Sequence, residues 1–166
     1  MRFAEVETPV GVLTLVAGDA GLRAVLWPHE SPPPGAAPGH HPVLAAAERQ
    51  LHDYFAGTRR AFDLPLDLVG TPFQQRAWRA LATIPFATTI SYGEQARRLG
   101  VPRAVRAIGA ANGRNPLSIV LPCHRVVGAN GALTGYGGGL DAKQRLLVHE
   151  RRVADLTGCA GTALRL

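Results

Sequence analysis

The sequence is organised around one stretch, Leu121-Pro122-Cys123-His124-Arg125-Val126. A cysteine is followed directly by a histidine here, just behind the apolar run Ser118-Ile119-Val120-Leu121. That run predicts a short buried strand ended by Pro122, which would place the thiol at the mouth of the strand. The thiolate is the nucleophilic form of cysteine, and a neighbouring imidazole or helix N-terminus lowers the thiol pKa from about 8.5. Cys123 is therefore the candidate reactive residue.

Three other interpretations of Cys123 compete with this one. A free cysteine often packs as a small hydrophobic side chain. A zinc site needs a ligand spacing that an adjacent Cys-His pair does not supply, and the sequence contains no C-x-x-C. A protease-like pair normally joins residues that are distant in sequence and needs an orienting partner. The surrounding residues must decide between these interpretations.

Five blocks of sequence between Ser91 and Glu150 settle the choice. They are Pro-Cys-His-Arg-Val at 122–126, Arg106-Ala107-Ile108-Gly109, Asn115-Pro116, Tyr136-Gly137-Gly138-Gly139 and His149-Glu150. In order and spacing they resemble the O6-alkylguanine-DNA alkyltransferase family. The resemblance implies DNA repair by base flipping and a single, stoichiometric transfer of the alkyl group from O6-alkylguanine in duplex DNA to Cys123. O4-alkylthymine is a second candidate substrate, and no cofactor is implied.

The fold class predicted is α+β, with a small N-terminal antiparallel-sheet domain and a mostly helical C-terminal domain. Strands are predicted over 3–6, 12–16, 22–27 and 62–69, a mobile loop over 28–42, and a helix over 43–55. The boundary falls near Gly70. The resemblance makes 1–70 a ribonuclease-H-like structural domain and 71–166 the DNA-binding and alkyl-transfer domain.

Helix-start signals organise the second part. Thr71-Pro72-Phe73-Gln74 and Ser91-Tyr92-Gly93-Glu94 are capping boxes, each opening a helix. The second of these helices ends at Gly100, and Pro102 is predicted to start another that Gly113 closes. Two short helices joined by a tight turn predict a helix-turn-helix. A terminal helix is expected over 140–151.

The second helix of this motif has almost no large side chains. Its small residues include Ala104, Ala107, Gly109 and Ala110, and they would let the helix backbone approach DNA closely, with Arg106 as the one long side chain. Close packing inside a core is the alternative. The resemblance implies that this helix enters the minor groove, where sequence readout is poor, and that Arg106 fills the place of the flipped base.

The resemblance also assigns the chemistry to named side chains, with Cys123, His124, Glu150 and Tyr92 as the implied catalytic set. Glu150 would hold the tautomer of His124 and raise its basicity, and His124 would take the thiol proton through a water. Tyr92 would help to rotate the nucleotide out of the duplex and protonate the departing guanine. Cys123 would then end as a thioether.

The resemblance assigns the remaining residues to holding the base and the turn. The base pocket would be formed by Tyr92, Val126, Tyr136 and Gly137, with backbone carbonyls of Cys123 and Val126 reading the amino group of the base. Some family members carry a hydroxyl residue where this chain has Gly137, so only a backbone contact is available there. Asn115 would support the active-site turn.

Composition limits the kind of protein further. A net charge of +6 and a pI near 10.3 favour a polyanionic partner. Two cysteines, Cys123 and Cys159, cannot build a disulfide framework, and a nucleophilic thiol suits a reducing compartment. No apolar run approaches the about 18 residues that cross a bilayer. We therefore expect a cytoplasmic monomer that binds double-stranded DNA, without a membrane contact or a metal site.

Two rival functions predict different behaviour. A non-enzymatic alkyltransferase-like protein, or a helix-turn-helix regulator, would bind DNA without transfer; loss of the cysteine would mark the former, and Cys123 is present. A cysteine hydrolase would turn over small esters or amides without DNA. The adjacent helix-turn-helix bearing Arg106 argues against a hydrolase.

Overall fold

A computed structural model describes residues 1–157 of the chain, and its N-terminal part is a small sheet. Strands β1 (Arg2–Thr8), β2 (Gly11–Ala17) and β3 (Leu22–Leu26) form an antiparallel meander, as predicted. A two-residue strand, β4 (Ala37–Pro38), pairs in parallel with β1, giving the order β3-β2-β1-β4. The mobile loop predicted over 28–42 therefore contains a short strand, in which the Ala37 N–H donates to the Met1 carbonyl at 3.1 Å.

Helix α1 (Pro42–Ala56) covers one face of this sheet and confirms the predicted helix. The Nδ1 atom of His41 accepts a hydrogen bond from the Val43 N–H, and Gly57 ends the helix in the left-handed conformation at φ 84°. The buried stripe of α1 is Val43, Leu44, Ala47, Gln50, Leu51 and Tyr54. Most of this stripe is apolar, which is why α1 packs on the sheet.

The strand predicted over 62–69 is wrong. This segment touches β3 at a single bridge, where the Leu22 N–H donates to the Pro65 carbonyl and the Asp67 N–H donates to the Leu22 carbonyl, both at 2.8 Å. Pro65 has no N–H to donate, so a longer ladder cannot form around it. The alternation of apolar residues instead reflects an extended segment that packs its apolar side chains on the core.

Four helices make up most of the second part: α2 (Pro72–Leu81), α3 (Tyr92–Arg98), α4 (Val105–Gly113) and α5 (Leu140–Thr157). The predicted capping box at Thr71 is present with both of its hydrogen bonds, at 3.0 and 3.1 Å. Helix α4 begins at Val105 and not at Pro102, because the Ala104 N–H donates to the Val101 carbonyl and closes a turn first. Helix α5 is longer than expected.

The strand predicted over 118–121 is also wrong. These residues form a buried turn in which the Leu121 N–H donates to the Leu117 carbonyl at 2.8 Å and Ile119 adopts a φ of 75°. A short apolar run indicates burial but does not distinguish a strand from a turn. Cys123–Arg125 then form one turn of 3-10 helix, followed by β6 (Val126–Val127), which pairs in parallel with β5 (Ile90–Ser91). The thiol therefore begins a helical turn.

One hydrophobic core joins the two parts of this α+β fold. It includes side chains from β2, α1, α2, the 117–121 turn and α5, among them Leu15, Leu51, Trp78, Leu117 and Leu146. A second, smaller cluster of Ala77, Ala96, Ile108 and Ala111 holds α2, α3 and α4 together. Because the main core is shared, the division near Gly70 stays a prediction. Within residues 1–157, no helix has the length and apolar character needed to span a bilayer.

Candidate active site

Cys123 lines a cavity of about 560 Å³. It begins the 3-10 turn and is only 7% exposed. Part of the cavity is lined by the glycine-rich loop, residues 134–139. The cavity is lined by one side of the helix-turn-helix, by Cys123 and by that loop: Tyr92, Val105, Gly109, Asn112, Gly113, Cys123, Thr134, Gly135, Tyr136 and Gly137. Five residues singled out in the sequence therefore meet at one cavity: Tyr92, Gly109, Cys123, Tyr136 and Gly137.

Other predicted residues lie away from the lining. Val126 is fully buried in β6, which pairs with β5, and it does not line the cavity. Arg106, Ala107 and Ala110 are exposed on the outer face of α4, and Ala104 precedes the first turn of that helix. Of the four residues predicted to form the base pocket, Tyr92, Tyr136 and Gly137 line the cavity, whereas Val126 lies in β6.

A buried carboxylate lies behind the thiol. Glu150 has no exposed surface and accepts five hydrogen bonds. Its Oε2 atom contacts Tyr54 Oη at 2.6 Å, His124 Nε2 at 2.7 Å and Arg125 Nη2 at 2.9 Å. Its Oε1 atom accepts from Arg125 Nε at 2.9 Å and from the N–H of Ala87 at 3.0 Å. The predicted contact between His124 and Glu150 is thus part of a larger buried network.

The state of this carboxylate determines the tautomer of His124. Burial by itself raises the pKa of Glu150, but hydrogen bonds and charge from His124 and Arg125 outweigh it and hold the pKa well below its ordinary 4.5. An ionised carboxylate only accepts hydrogen bonds, so Nε2 of His124 carries the proton and donates it. Nδ1 of His124 is then a lone-pair acceptor, and it is buried without a hydrogen-bond partner among residues 1–157.

Burial shifts the thiol and the imidazole in directions opposite to those expected from the sequence. Burial raises the pKa of Cys123, although a hydrogen bond from Asn115 and the charge of Lys143 oppose the shift. Burial also lowers the pKa of His124, and this outweighs the opposing effect of Glu150. The resting pair is therefore a neutral thiol beside a neutral imidazole, which can accept the thiol proton only at Nδ1.

Asn115 supports the turn that carries the thiol. Its amide nitrogen donates to the Leu121 carbonyl at 2.8 Å, and its amide oxygen accepts from the Leu117 N–H at 2.9 Å. Both ends of the 117–121 turn are therefore held by one side chain. This is the kind of support expected of Asn115 from the sequence.

Lys143, the only lysine of the chain, was not among the predicted site residues. It is fully buried, and its ammonium donates to the Thr134 carbonyl at 2.9 Å and lies 5.8 Å from the ring centroid of Tyr92. The Thr134 hydroxyl donates to the Tyr92 hydroxyl at 3.0 Å. Burial lowers the pKa of Lys143, while the charge of the Cys123 thiolate opposes this shift. In the sequence, the one signal that points to Lys143 is that the chain has no other lysine.

Trp27, at the end of β3, forms the wall behind the glycine-rich loop. Its indole N–H donates to Ser118 Oγ at 3.2 Å, and the edge of its ring system meets Tyr136 at a centroid distance of 5.5 Å. A Cβ atom added to Gly138 would come within 2.6 Å of the indole carbons. The loop therefore needs glycine at 138 in order to lie against Trp27.

The helix-turn-helix is held from behind by buried polar contacts. The amides of Gln95 on α3 and Asn112 on α4 exchange two hydrogen bonds at 2.8 and 3.2 Å. Trp78 on α2 donates its indole N–H to the Ala111 carbonyl at 2.7 Å. On the opposite side of α4, a Cβ atom added to Gly109 would meet nothing within 4 Å. The small residues of α4 therefore leave an open surface, and the alternative of close packing is wrong for Gly109.

Taken together, an open helix-turn-helix face beside a cavity with a buried thiol defines a class: a DNA-binding protein that carries a nucleophilic cysteine.

Comparisons with known proteins identify the family within this class. Residues 72–152 match the DNA binding domain of 6-O-methylguanine DNA methyltransferase, and residues 1–68 match its ribonuclease-like domain. A methylated-DNA--protein-cysteine methyltransferase of Mycolicibacterium paratuberculosis is 51% identical over 155 residues, covering 92% of this chain and 93% of the relative. The crystal structure of Mycobacterium tuberculosis OGT in complex with DNA is 45% identical and superposes with a TM-score of 0.87, covering 95% of this chain and 98% of the other. The chain belongs to the 6-O-methylguanine DNA methyltransferase family.

Proposed function

We propose that this protein repairs duplex DNA by transferring the alkyl group of a flipped O6-alkylguanine to Cys123. The observation that carries the proposal is that Cys123 lines the same cavity as Val105, Gly109, Asn112 and Gly113 of α4. A base rotated out of a duplex bound to α4 enters that cavity directly. O4-alkylthymine is a second candidate substrate.

The transfer is a single substitution at the alkyl carbon. The thiol proton moves to Nδ1 of His124, through a water, and the sulfur attacks the alkyl carbon. The carbon–sulfur bond forms as the carbon–O6 bond breaks, and its electron pair stays with the guanine. The hydroxyl of Tyr92, which lines the cavity, donates a proton to the leaving base. Glu150 holds His124 in the tautomer that this sequence of proton movements requires.

DNA is held by α4 from the minor groove. Ala104, Ala107, Gly109 and Ala110 bring the helix backbone close to the groove, and the exposed Arg106 occupies the space left in the base stack. Tyr136 and Gly137 enclose the base from the opposite side. The Val126 carbonyl accepts a hydrogen bond from the amino group of the base, and because Val126 is buried in the free protein, entry of the base must uncover it. Asn115 keeps the turn in place beneath it.

The reaction ends after one turnover. A thioether has no easy leaving group, and within residues 1–157 no second thiol or group of metal ligands is positioned to reverse it. The protein is therefore consumed with the lesion that it removes. We further propose that it acts as a monomer in the cytoplasm, where a nucleophilic thiol stays reduced.

Intact mass spectrometry tests the transfer. The protein is mixed with an equimolar duplex that contains one O6-methylguanine, beside a Cys123→Ala variant and an undamaged duplex. We expect a gain of one CH₂ in mass, located on the Cys123 peptide, only with the natural protein and the damaged duplex. Binding to the damaged duplex without a gain in mass would instead identify a non-enzymatic damage sensor.

A further inference from the structure

We propose that Tyr54, on α1, is a positioning residue for alkyl transfer, acting through Glu150 on His124. The proposal rests on the proposed function, because alkyl transfer is one of its two readouts. Tyr54 lies in the stretch that matches the ribonuclease-like domain, whereas Glu150 lies in the stretch that matches the DNA binding domain. The two residues are 96 positions apart in sequence.

The contact is short, buried and directed at the oxygen that also holds the histidine. Tyr54 Oη lies 2.6 Å from Glu150 Oε2, and His124 Nε2 lies 2.7 Å from the same oxygen. Tyr54, His124 and Glu150 have no exposed surface. Burial and the charge of Glu150 hold the pKa of Tyr54 well above its ordinary 10.0, so the phenol keeps its proton and acts as a donor.

Arg125 does not make this contact redundant. Its guanidinium binds both carboxylate oxygens, through Nε to Oε1 and through Nη2 to Oε2. Such a fork leaves one side of each oxygen free. The Ala87 N–H also bonds Oε1, whereas Tyr54 and His124 both bond Oε2. Apart from Arg125, Tyr54 is therefore the donor that can fix Oε2 relative to the imidazole.

The ring of Tyr54 also packs in an aromatic cluster, so its hydroxyl must be tested separately. Phe55, Phe62, Phe86 and His149 surround the ring, with centroid distances from 4.9 to 6.1 Å. Tyr54→Phe keeps the ring and removes only the donor. Phe55→Leu is a matched control, because it disturbs the cluster beside Tyr54 without removing any hydrogen bond to Glu150.

The first experiment measures single-turnover transfer from a duplex with one O6-methylguanine over a range of DNA concentrations. For Tyr54→Phe we expect the rate at saturating DNA to fall by about tenfold or more, the effect of losing one charge-assisted hydrogen bond. The half-saturating DNA concentration should not change, since α4 is untouched. In a Glu150→Gln background, Tyr54→Phe should add no further loss. Phe55→Leu should lower the melting temperature and leave the rate within about twofold.

The second experiment does not depend on activity or on the Glu150→Gln variant. The ¹⁵N spectrum of His124 in the free protein reports which ring nitrogen carries the proton. We expect both proteins to show the Nε2–H tautomer, because Arg125 keeps Glu150 ionised in each. The Nε2–H resonance should shift in Tyr54→Phe, because the hydrogen bond from His124 to Oε2 changes when the phenol no longer shares that oxygen. Failure of transfer by the natural protein would refute the proposed function, whereas an unchanged rate and an unchanged spectrum in Tyr54→Phe would refute only the positioning role. Additive losses in the double variant would also refute action through Glu150.

Discussion

At the scale of single residues, the carboxylate of Glu150 determines which protons of the site can move. It is ionised, buried and bonded by four residues from three segments of the chain. One of those donors is the backbone of Ala87, which adopts a φ of 61°, a left-handed conformation that is strained for a residue with a side chain. The strained Ala87 therefore supplies one of the hydrogen bonds to the Glu150 carboxylate.

The free energy of unfolding should depend on pH in a way that shows the ionisation of Glu150. The folded-state pKa of Glu150 is held well below the ordinary 4.5. The ionised carboxylate therefore stabilises the folded protein fully above pH 4.5, and this stabilisation is lost as the pH falls from 4.5 through the folded-state pKa. The difference in unfolding free energy between the natural protein and Glu150→Gln should be constant from about pH 7 to about pH 5, and should shrink in more acidic solution. Urea unfolding across this range measures it. A difference that shrank already above pH 5 would contradict the assigned direction.

Lys143 should influence the thiol through its charge. The ammonium lowers the pKa of Cys123, against the effect of burial. Lys143→Met should therefore shift the pH profile of alkylation of Cys123 by a small electrophile to higher pH, and should slow transfer at neutral pH. Lys143→Arg keeps the charge and is the control. A profile that did not move in Lys143→Met would show that the ammonium only holds the Thr134 carbonyl.

At the scale of elements, α4 combines a buried side that fixes it with an open side that faces away from the core. Ile108, Ala111 and Asn112 form the buried side, while Arg106 and Ala107 are exposed. The helix position is set by hydrogen bonds to α2 and α3, so its open side is free of any packing role.

Filling this open side should affect DNA binding and not folding. A Cβ atom at position 109 would have nothing within 4 Å, and leucine favours a helix more than glycine does, so Gly109→Leu should not lower the melting temperature. Affinity for duplex DNA should fall by about tenfold or more, because the helix backbone can no longer approach the groove. Ala45→Leu, on the exposed face of α1, is the matched control and should leave affinity unchanged. Unaltered binding by Gly109→Leu would place the DNA elsewhere.

The rate of transfer should depend on having glycine at position 138 of the glycine-rich loop. A second substitution, at Trp27, should partly reverse the effect of replacing this glycine. In Gly138→Ala the new Cβ atom would lie 2.6 Å from the rigid indole of Trp27, so the loop must move toward the cavity. Transfer should slow by about tenfold, equivalent to about 1.4 kcal/mol. Adding Trp27→Leu removes the clash and should restore part of the rate. If the double variant were slower than Gly138→Ala, the clash would not be the cause.

At the scale of the whole molecule, the product of the reaction should be less stable than the free protein. Cys123 lines the cavity but belongs to the main core and is almost completely buried, so a methyl group on its sulfur crowds the core side chains around the thiol. Overpacking of this kind costs about 1–3 kcal/mol. We therefore expect the methylated protein to melt a few degrees below the unmodified one, by roughly 2–4 °C per kcal/mol. Differential scanning calorimetry before and after stoichiometric reaction measures this, and an equal or higher melting temperature would contradict it.

The local features of the protein can be predicted from the sequence alone. The capping box at Thr71, the helix over Pro42–Ala56 and the meander of the first three strands follow from hydrogen bonds and periodicities among near neighbours, and the structure confirms them. The cysteine with its histidine, and the family that the surrounding blocks resemble, could also be recognised in the sequence, because each block is contiguous. Apolar runs were less informative: those at 62–69 and 118–121 indicated burial correctly but not the backbone conformation.

The completed active site is a product of tertiary packing. Tyr54, Ala87 and Lys143 reach the site from separate segments, and no periodicity relates them to Cys123. Arg125 lies two residues after Cys123, but its partner Glu150 is 25 positions away. The pKa directions of the thiol and imidazole depend on burial, which the whole core produces and which adjacent residues do not reveal. Hydrogen bonds between near neighbours can be predicted from the residue types at adjacent positions. The contact between Tyr54 and Glu150 spans 96 positions, and it forms only when α1 and α5 pack into one core.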